Sequence, residues 1–447
     1  MSPHAETIRL RLSGGPLSAR QLAENMGISQ PTVSRALAEL GDEVVRIGAA
    51  RSIHYALRDT LRGLPDIPVY RIDAAGRVHR LGVLVPVRPQ GFVTRREDGA
   101  ALYSENLPWW LADMRPQGYL GRALARRHAA ELGLPERLAD WTAAHALRAL
   151  LAYGHDVVGD LLLGDAARDR FIAGPVAGPI SLDEKTEAYV RLSREAVRGE
   201  VPGSSAGGEQ PKFAAYAMTP GGARHVLVKF SEPEPGPVTE RWRDLLLAEH
   251  LALETLGEAG VPAARTWILD SQGQRFLEVE RFDRIGALGR RAVFSLTALD
   301  AEFVGEGRWG GWPPIAQRLA GENVIRREAA ADACLLWAFG TLIGNSDMHG
   351  GNLSFMAGDE RPYGIAPAYD MTPMAFQPRA SGGLPDTLPA ANVQAGVPND
   401  AWRRALVLAQ AFLARLRVAD FSRGFQPCLA ALAGHLATAG ASIGRLG

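Results

Sequence analysis

Gly344-Asn345-Ser346-Asp347-Met348-His349-Gly350-Gly351-Asn352, followed by Tyr369-Asp370, is the stretch on which the reading of this chain turns. An Asp and an Asn with four residues between them, and a second Asp downstream, form the polar spacing of kinase-type phosphoryl transfer. In that chemistry the first Asp orients the hydroxyl nucleophile and takes its proton, while the Asn and the second Asp hold Mg²⁺ against the phosphates. The His-Arg pair that usually precedes the first Asp is absent. Asn, Ser, Asp and Gly also build ordinary turns, but the flanks argue for more. An apolar helix from Cys334 to Ile343 leads into the loop and Leu353 and Phe355 follow it, so its polar groups are held between buried elements, as a preorganised site requires.

Upstream, Ser204 to Lys212 is rich in small residues whose N–H groups can approach a phosphate closely. Such turns are common in surface hairpins, and the loop gains weight from Lys229, a lone cation ending the apolar strand Val226-Leu227-Val228. A lysine there either snorkels to solvent or meets a partner; Glu249, on the next helix, is the acid expected to meet it in a kinase-like geometry. His349 reads three ways: phosphate contact, metal ligand or loop brace.

A chain of 447 residues has room for two or three domains, each with its own core. The 49 basic and 49 acidic side chains cancel, so total charge demands no nucleic-acid partner, although a local patch remains open. Two cysteines, Cys334 and Cys428, are too few for a disulfide framework and suit a reducing, cytoplasmic setting. The first residues lack the charged-then-apolar order of a signal peptide, and the longest apolar run, around Ala333 to Ile343, suits a buried helix rather than a membrane span. Strand-like segments at Val69–Asp73 and Val78–Val85 flank a turn at Ala74-Ala75-Gly76-Arg77, and helical text runs from Pro108 to Leu151. Strands return on both sides of a helix from Val238 to Gly257, and the rest is mostly helical.

The N-terminal unit carries its own signals. Ser18-Ala19-Arg20-Gln21 is a capping-box pattern, Gly27 makes a turn, and Ser29 caps a second helix with Pro31 in its first turn. Val33, Leu37 and Leu40 fall on one face and Gln30, Thr32, Ser34 and Arg35 on another, where a recognition helix would meet base edges. A hairpin of Val44–Ile47 and Ser52–Leu57 would make a wing, with Arg46 and Arg51 near phosphates. A helical protein-interaction module is the plainer alternative; turn, caps and wing together favour DNA.

The order of loop, Lys, Glu, Asp-to-Asn and Asp, with Ala366-Pro367-Ala368-Tyr369-Asp370 and Val279-Glu280-Arg281-Phe282-Asp283-Arg284, resembles the HipA family of serine/threonine kinases, toxin components of bacterial toxin–antitoxin pairs. The similarity runs from about residue 68 to the C-terminus. Leu107-Pro108-Trp109-Trp110-Leu111 and Arg115-Pro116-Gln117-Gly118 resemble the YjjJ/HipH-like branch, whose members carry an N-terminal helix-turn-helix. The resemblance implies an α+β, protein-kinase-like two-lobed fold behind a winged helix-turn-helix, with units at 1–62, 66–285 (mixed N-lobe) and 286–447 (helical C-lobe). It implies ATP and Mg²⁺ as cofactors, Asp347 as base, Asn352 and Asp370 as metal ligands and Lys229 as phosphate contact. Ala206, Gly207, Gly208, Glu209, Gln210, Lys212, His349 and Tyr369 would surround the nucleotide, and Glu280, Arg281 and Phe282 would form the hinge toward adenine. Ser205, with Ser204 beside it, matches the loop serine that family members phosphorylate on themselves. Two departures stand in the loop: Glu209 is a carboxylate, and Pro211 removes an N–H.

The partners implied are a cytoplasmic protein with a Ser or Thr acceptor, such as a translation factor, together with DNA and an antitoxin. A homodimer is expected as well, because helix-turn-helix units usually read paired half-sites. Two other readings compete: a DNA-binding regulator whose kinase lobe senses nucleotide without transfer, and a nuclease toxin with metal on Asp347, His349 and Asp370. Lys229 and its loop weigh against the nuclease, since hydrolysing DNA needs no ATP cradle.

Overall fold

Ser18 accepts the N–H of Gln21 while the Gln21 side chain returns to Ser18, a reciprocal cap that starts the helix Ala19–Met26; Gly27, at φ 64°, ends it. The computed structural model describes residues 1–48, 53–174, 178–198, 210–307, 311–358 and 360–446. Ser29 caps the second helix, Gln30–Leu40, with Pro31 in its first turn. An additional helix, Pro3–Leu12, packs Ala5, Ile8 and Leu12 against Val33, Leu37 and Leu40. Leu17–Ser18, His54–Leu57 and Val44–Ile47 form a three-stranded sheet in that order, with Arg46 opposite Tyr55. This is a winged helix-turn-helix; Arg51, at the expected wing tip, lies outside the described residues.

The wing is anchored. Val45, Ile47 and Ala56 share one apolar cluster with Val85, Val87 and Val93 of the next unit. Leu57 O accepts the Arg88 N–H at 2.8 Å, carrying the sheet's hydrogen bonding across the junction.

That next unit is a five-stranded antiparallel sheet, ordered Ala101–Ser104, Phe92–Arg96, Val78–Pro86, Ile67–Ile72, Leu161–Leu163. The hairpin expected around residues 74–77 is present. Ile67, Leu84 and Phe92 pack on Leu111, Met114, Leu147 and Leu150 from the helical segment.

A second antiparallel sheet, ordered Thr266–Ser271, Gln274–Glu280, Gly222–Phe230, Lys212–Thr219, has a core of its own around Tyr189, Phe213, Val228 and Phe276. Residues 66–285, read from sequence as one lobe, therefore carry two sheets with separate cores. The helix Pro237–Glu258 covers the other face of this second sheet and reaches into the C-terminal core.

The C-terminal unit packs the helices Trp312–Gly321, Arg327–Ile343, Asn399–Val418 and Gln426–Ile443 around Phe339, Leu342, Trp402 and Phe412. Cys334 and Cys428 are both buried on these helices. A small sheet of Val293–Ser295, Ser354–Met356 and Gly364–Ile365 leans against them. Among the described residues no helix is long and apolar enough to cross a membrane.

The middle sheet locks onto the second one through backbone. The short hairpin Arg284–Ile285/Gly289–Arg290 lies on the turn after Ile72, with the Arg290 N–H donating to Asp73 O at 3.1 Å. A Cβ at position 289 would fall 2.1 Å from Ala74 O, so only glycine allows the approach. Gly289→Ala is therefore expected to destabilise the protein by about 1–3 kcal/mol, read as a lowered midpoint in urea unfolding. An unchanged midpoint would mean that the two units are not held at this point.

Candidate active site

Strand alternation decides where Lys229 points. Val226, Val228 and Phe230 face the Tyr189 core, which sends Lys229 to the opposite face, under the helix Pro237–Glu258. There its ammonium donates to both Glu249 oxygens, at 2.6 and 2.7 Å, and to Asp370 Oδ1. The Glu249 side chain is 0% exposed, and Thr372 Oγ1 donates to its second oxygen at 3.0 Å. Lys212 sits directly opposite Lys229 on the neighbouring strand and is also buried. Two lysines facing each other across a ladder repel, so the pair requires anions nearby.

Charge follows from this crowding. Burial works against a charged Lys229, yet the Asp370 and Glu249 carboxylates together raise it well above its ordinary value, so it is an ammonium throughout the physiological range. Burial also pushes Asp370 up, but Lys229 and then Lys212 outweigh it and hold the carboxyl below its usual range. Glu249 stands above its ordinary value, raised by burial, eased by Lys229 and raised again by Asp370.

The loop carrying Asp347 is built from its own polar groups. Gly344, at φ 78°, ends the helix Arg327–Ile343, and the Asn345 N–H closes back on Gly340 O at 2.8 Å. Asn345 then links two of the candidate positions: its Oδ1 accepts the Asp347 N–H at 3.0 Å and its Nδ2 donates to Asp370 O at 3.1 Å. Asn352 Nδ2 donates to Asp347 O at 2.8 Å. Trp312 Nε1 donates to His349 O at 3.0 Å, and His349 Nδ1 accepts the Gly351 N–H, also at 3.0 Å, so the bracing role is the one this ring visibly fills. The Tyr369 hydroxyl donates to Gly351 O at 2.6 Å and is met by Ser354 Oγ at 2.7 Å. Burial raises that phenol far above its ordinary value, against the Ser354 bond, so it stays the protonated donor that Gly351 needs. Asp370 itself adopts the left-handed region at φ 54°, one of three non-glycine residues to do so among those described.

Asp347 is exposed. Among the described residues no three His, Cys, Asp or Glu side chains converge as a metal cluster. A cation here would draw on an amide as well. Asn352 Oδ1 and Asp370 Oδ2 accept no hydrogen bond among the described residues, and both are the hard oxygen donors that Mg²⁺ takes.

In the segment Glu280–Phe282, expected as the hinge, the Arg281 N–H already donates to His225 O at 2.9 Å, and the Glu280 carboxylate pairs with Arg224 at 3.1 Å. The Arg281 side chain turns inward to Asp283, at 2.9 and 3.0 Å. Phe282 lies 5.7 Å from the Tyr369 ring, centroid to centroid. Gln210 is half-buried at the mouth of the second sheet; Ser204, Ser205, Ala206, Gly207, Gly208 and Glu209 lie outside the described residues.

On the N-terminal unit Gln30, Ser34, Arg35 and Arg46 are exposed, whereas Thr32 is half-buried with its hydroxyl 2.9 Å from the capping Ser29. The structure thus brings together Lys229, Lys212, Asn352, Tyr369, Asp370 and the Asp347 loop, and keeps the helix-turn-helix face on another domain. Asn345 and Thr372 received no role from the sequence. Asn345 follows the helix-ending glycine directly, and that position was its only signal.

Residues 64–172 match the middle domain of YjjJ-like toxins, residues 204–422 the HipA-like C-terminal domain, and residues 10–43 the arsR family of bacterial regulatory proteins. Toxin YjjJ of Escherichia coli (strain K12) is 42% identical over 400 residues, which is 89% of this chain and 89% of that protein. Among solved structures, the toxin–antitoxin complex of Shewanella oneidensis MR-1 HipA, HipB and operator DNA matches with a TM-score of 0.50 at 16% identity. That match covers 85% of this chain and 97% of the other, and at such identity the likeness concerns the fold alone.

The buried lysine gives this site a measurable signature. Lys229→Met leaves the Glu249 carboxylate uncompensated at 0% exposure and is expected to cost about 3 kcal/mol or more in urea unfolding. Lys229→Met/Glu249→Leu should recover most of that loss, and a double variant as unstable as the single one would contradict the pairing.

Proposed function

The chain belongs to the YjjJ-like toxins, a HipA-like family, and on that premise we propose that it is an ATP-dependent serine/threonine protein kinase. The observation that carries the reading is Lys229, held between Glu249 and Asp370, with Asn345 tying Asp370 to the Asp347 loop. Asp347 would orient the acceptor hydroxyl and take its proton as oxygen bonds to the γ-phosphorus and the bridging oxygen leaves with ADP. Asp370 and Asn352 would hold Mg²⁺, which neutralises phosphate charge when bound. Lys229 and Lys212 supply fixed positive charge on the nucleotide side. Ser205, with Ser204 beside it, is the proposed autophosphorylation site.

The exposed Gln30, Ser34 and Arg35 on the helix Gln30–Leu40 support DNA binding, with Arg46 placed for the backbone. YjjJ-like and HipA-like relatives make an antitoxin a natural partner, and the substrate would be a protein with a Ser or Thr acceptor. One observation favours a second reading. With the Arg281 N–H engaged by His225, a hinge donor toward adenine is occupied, as suits a DNA-binding regulator that senses nucleotide weakly without transfer.

Incubation of purified chain with radiolabelled ATP and Mg²⁺ separates the two. The kinase reading expects label on the chain, lost in Asp347→Asn and reduced in Ser205→Ala; nucleotide binding with no label on the wild type would sink it. For the N-terminal unit, Arg35→Ala should weaken binding to DNA selected by the chain from a random pool by about 1–3 kcal/mol. Anisotropy titration measures it, and equal affinity would remove that helix from the interface.

A further inference from the structure

Residue Asp113 belongs to the middle unit, well over a hundred residues before the loop of Asp347, yet both its oxygens reach the same short segment. Oδ2 accepts the Ser295 N–H at 2.7 Å and Oδ1 accepts the Ser295 hydroxyl at 2.6 Å. Ser295 Oγ in turn accepts the Ala298 N–H at 3.1 Å, capping the turn Leu296–Leu299.

This capped segment is the wall of the catalytic loop. Ser295 pairs with Ser354, and the Leu296 N–H donates to Leu353 O at 2.8 Å, immediately after Asn352. Gly350 lies so close to the turn that a Cβ there would be 2.6 Å from Thr297 Oγ1. Ser354 continues the path to Tyr369 and, through its hydroxyl, to Gly351 O. Trp109, one turn before Asp113, stacks edge-on against Phe294 at 4.7 Å and Phe303 at 5.4 Å. The middle unit thus grips the segment 293–299 by two hydrogen bonds and one aromatic wedge.

We infer that Asp113 is a positioning residue for phosphoryl transfer: through Ser295 it sets the distance between the Asn352 end of the catalytic loop and Tyr369-Asp370. Its role rests on the kinase reading for chemistry, but the mechanical part stands on the geometry alone. An Asn at 113 keeps one acceptor and loses the other, so the Ser295 cap is loosened rather than removed. Because a small misplacement of reacting groups is costly, the rate falls while the nucleotide, held on the other side by Lys229 and Lys212, binds as before.

The experiment compares full-length wild type, Asp113→Asn, Ser295→Ala, their double variant and Ser295→Thr, measuring ATP turnover, nucleotide affinity and amide hydrogen exchange over residues 350–356. Asp113→Asn is expected to lower kcat about tenfold with KM for ATP within about twofold. Ser295→Ala should match it, the double variant should be no worse than either single, and Ser295→Thr, which keeps the hydroxyl, should retain most of the rate. Exchange at 350–356 should rise in Asp113→Asn and stay unchanged over the helix Gln30–Leu40. Additive losses, or a fall in nucleotide affinity equal to the fall in kcat, would overturn the assignment. If the wild type transfers no phosphate, the kinase reading fails on its own; the exchange measurement still decides, and unaltered protection at 350–356 overturns the positioning role.

Discussion

A single ammonium group organises the centre of this protein. Lys229 stands on a strand of the second sheet, Glu249 on the helix that covers that sheet, and Asp370 on the far side of the C-terminal loop system, so three separately built elements meet on one charge. Neither Lys229 nor Glu249 could be buried alone, because an isolated charge in such surroundings costs several kcal/mol. The surrounding geometry follows from satisfying them. Thr372 completes Glu249, Asn345 fixes the backbone of Asp370, and the left-handed turn at 370 brings its carboxylate to Lys229.

Elements written in local chemistry were legible. Ser18 with Gln21, Ser29 with Pro31, and the turn at residues 74–77 each act within a few residues, and each became the structure their residues imply. Lys229 and Glu249 were legible for another reason: a lone cation closing an apolar strand needs a carboxylate, and the following helix offered one. The separate cores of the two sheets within 66–285 were not legible, since both sheets show the same alternating pattern and nothing local says which strands share a face. Contacts such as Asp113 to Ser295, or Arg281 and Arg284 to Asp156, join residues far apart in the chain through polar and charged side chains that read as surface. The engagement of the Arg281 N–H by His225 was not legible either, since that partner lies outside its local sequence pattern.

The middle unit has no residue in the phosphotransfer chemistry proposed, yet it touches both sides of it. Beside the proposed hinge, the half-exposed Asp156 and the Gly159 N–H join the buried side chains of Arg281, Asp283 and Arg284 in an ionic cluster. Burial disfavours the Asp283 carboxylate, but Arg281 and Arg284 more than compensate and hold it far below its usual range, so the cluster stays ionised at any pH the cell presents. On the other side lies the Ser295 segment. A unit fastened to both the Arg281–Arg284 segment and the wall of the Asp347 loop limits how far the two can separate.

The shared core of Val45, Ile47, Ala56, Val85, Val87 and Val93 has a geometric consequence for any encounter with a double helix. A reading head continuous with the sheet behind it cannot swivel as a tethered one does. Seated in a major groove, it would fix the compass bearing of the rest of the molecule about the DNA axis. Each added base pair between two such seats would turn one copy by roughly a tenth of a revolution relative to the other. The spacing of the sites, and not the length of a linker, would then decide whether two copies face each other or point apart.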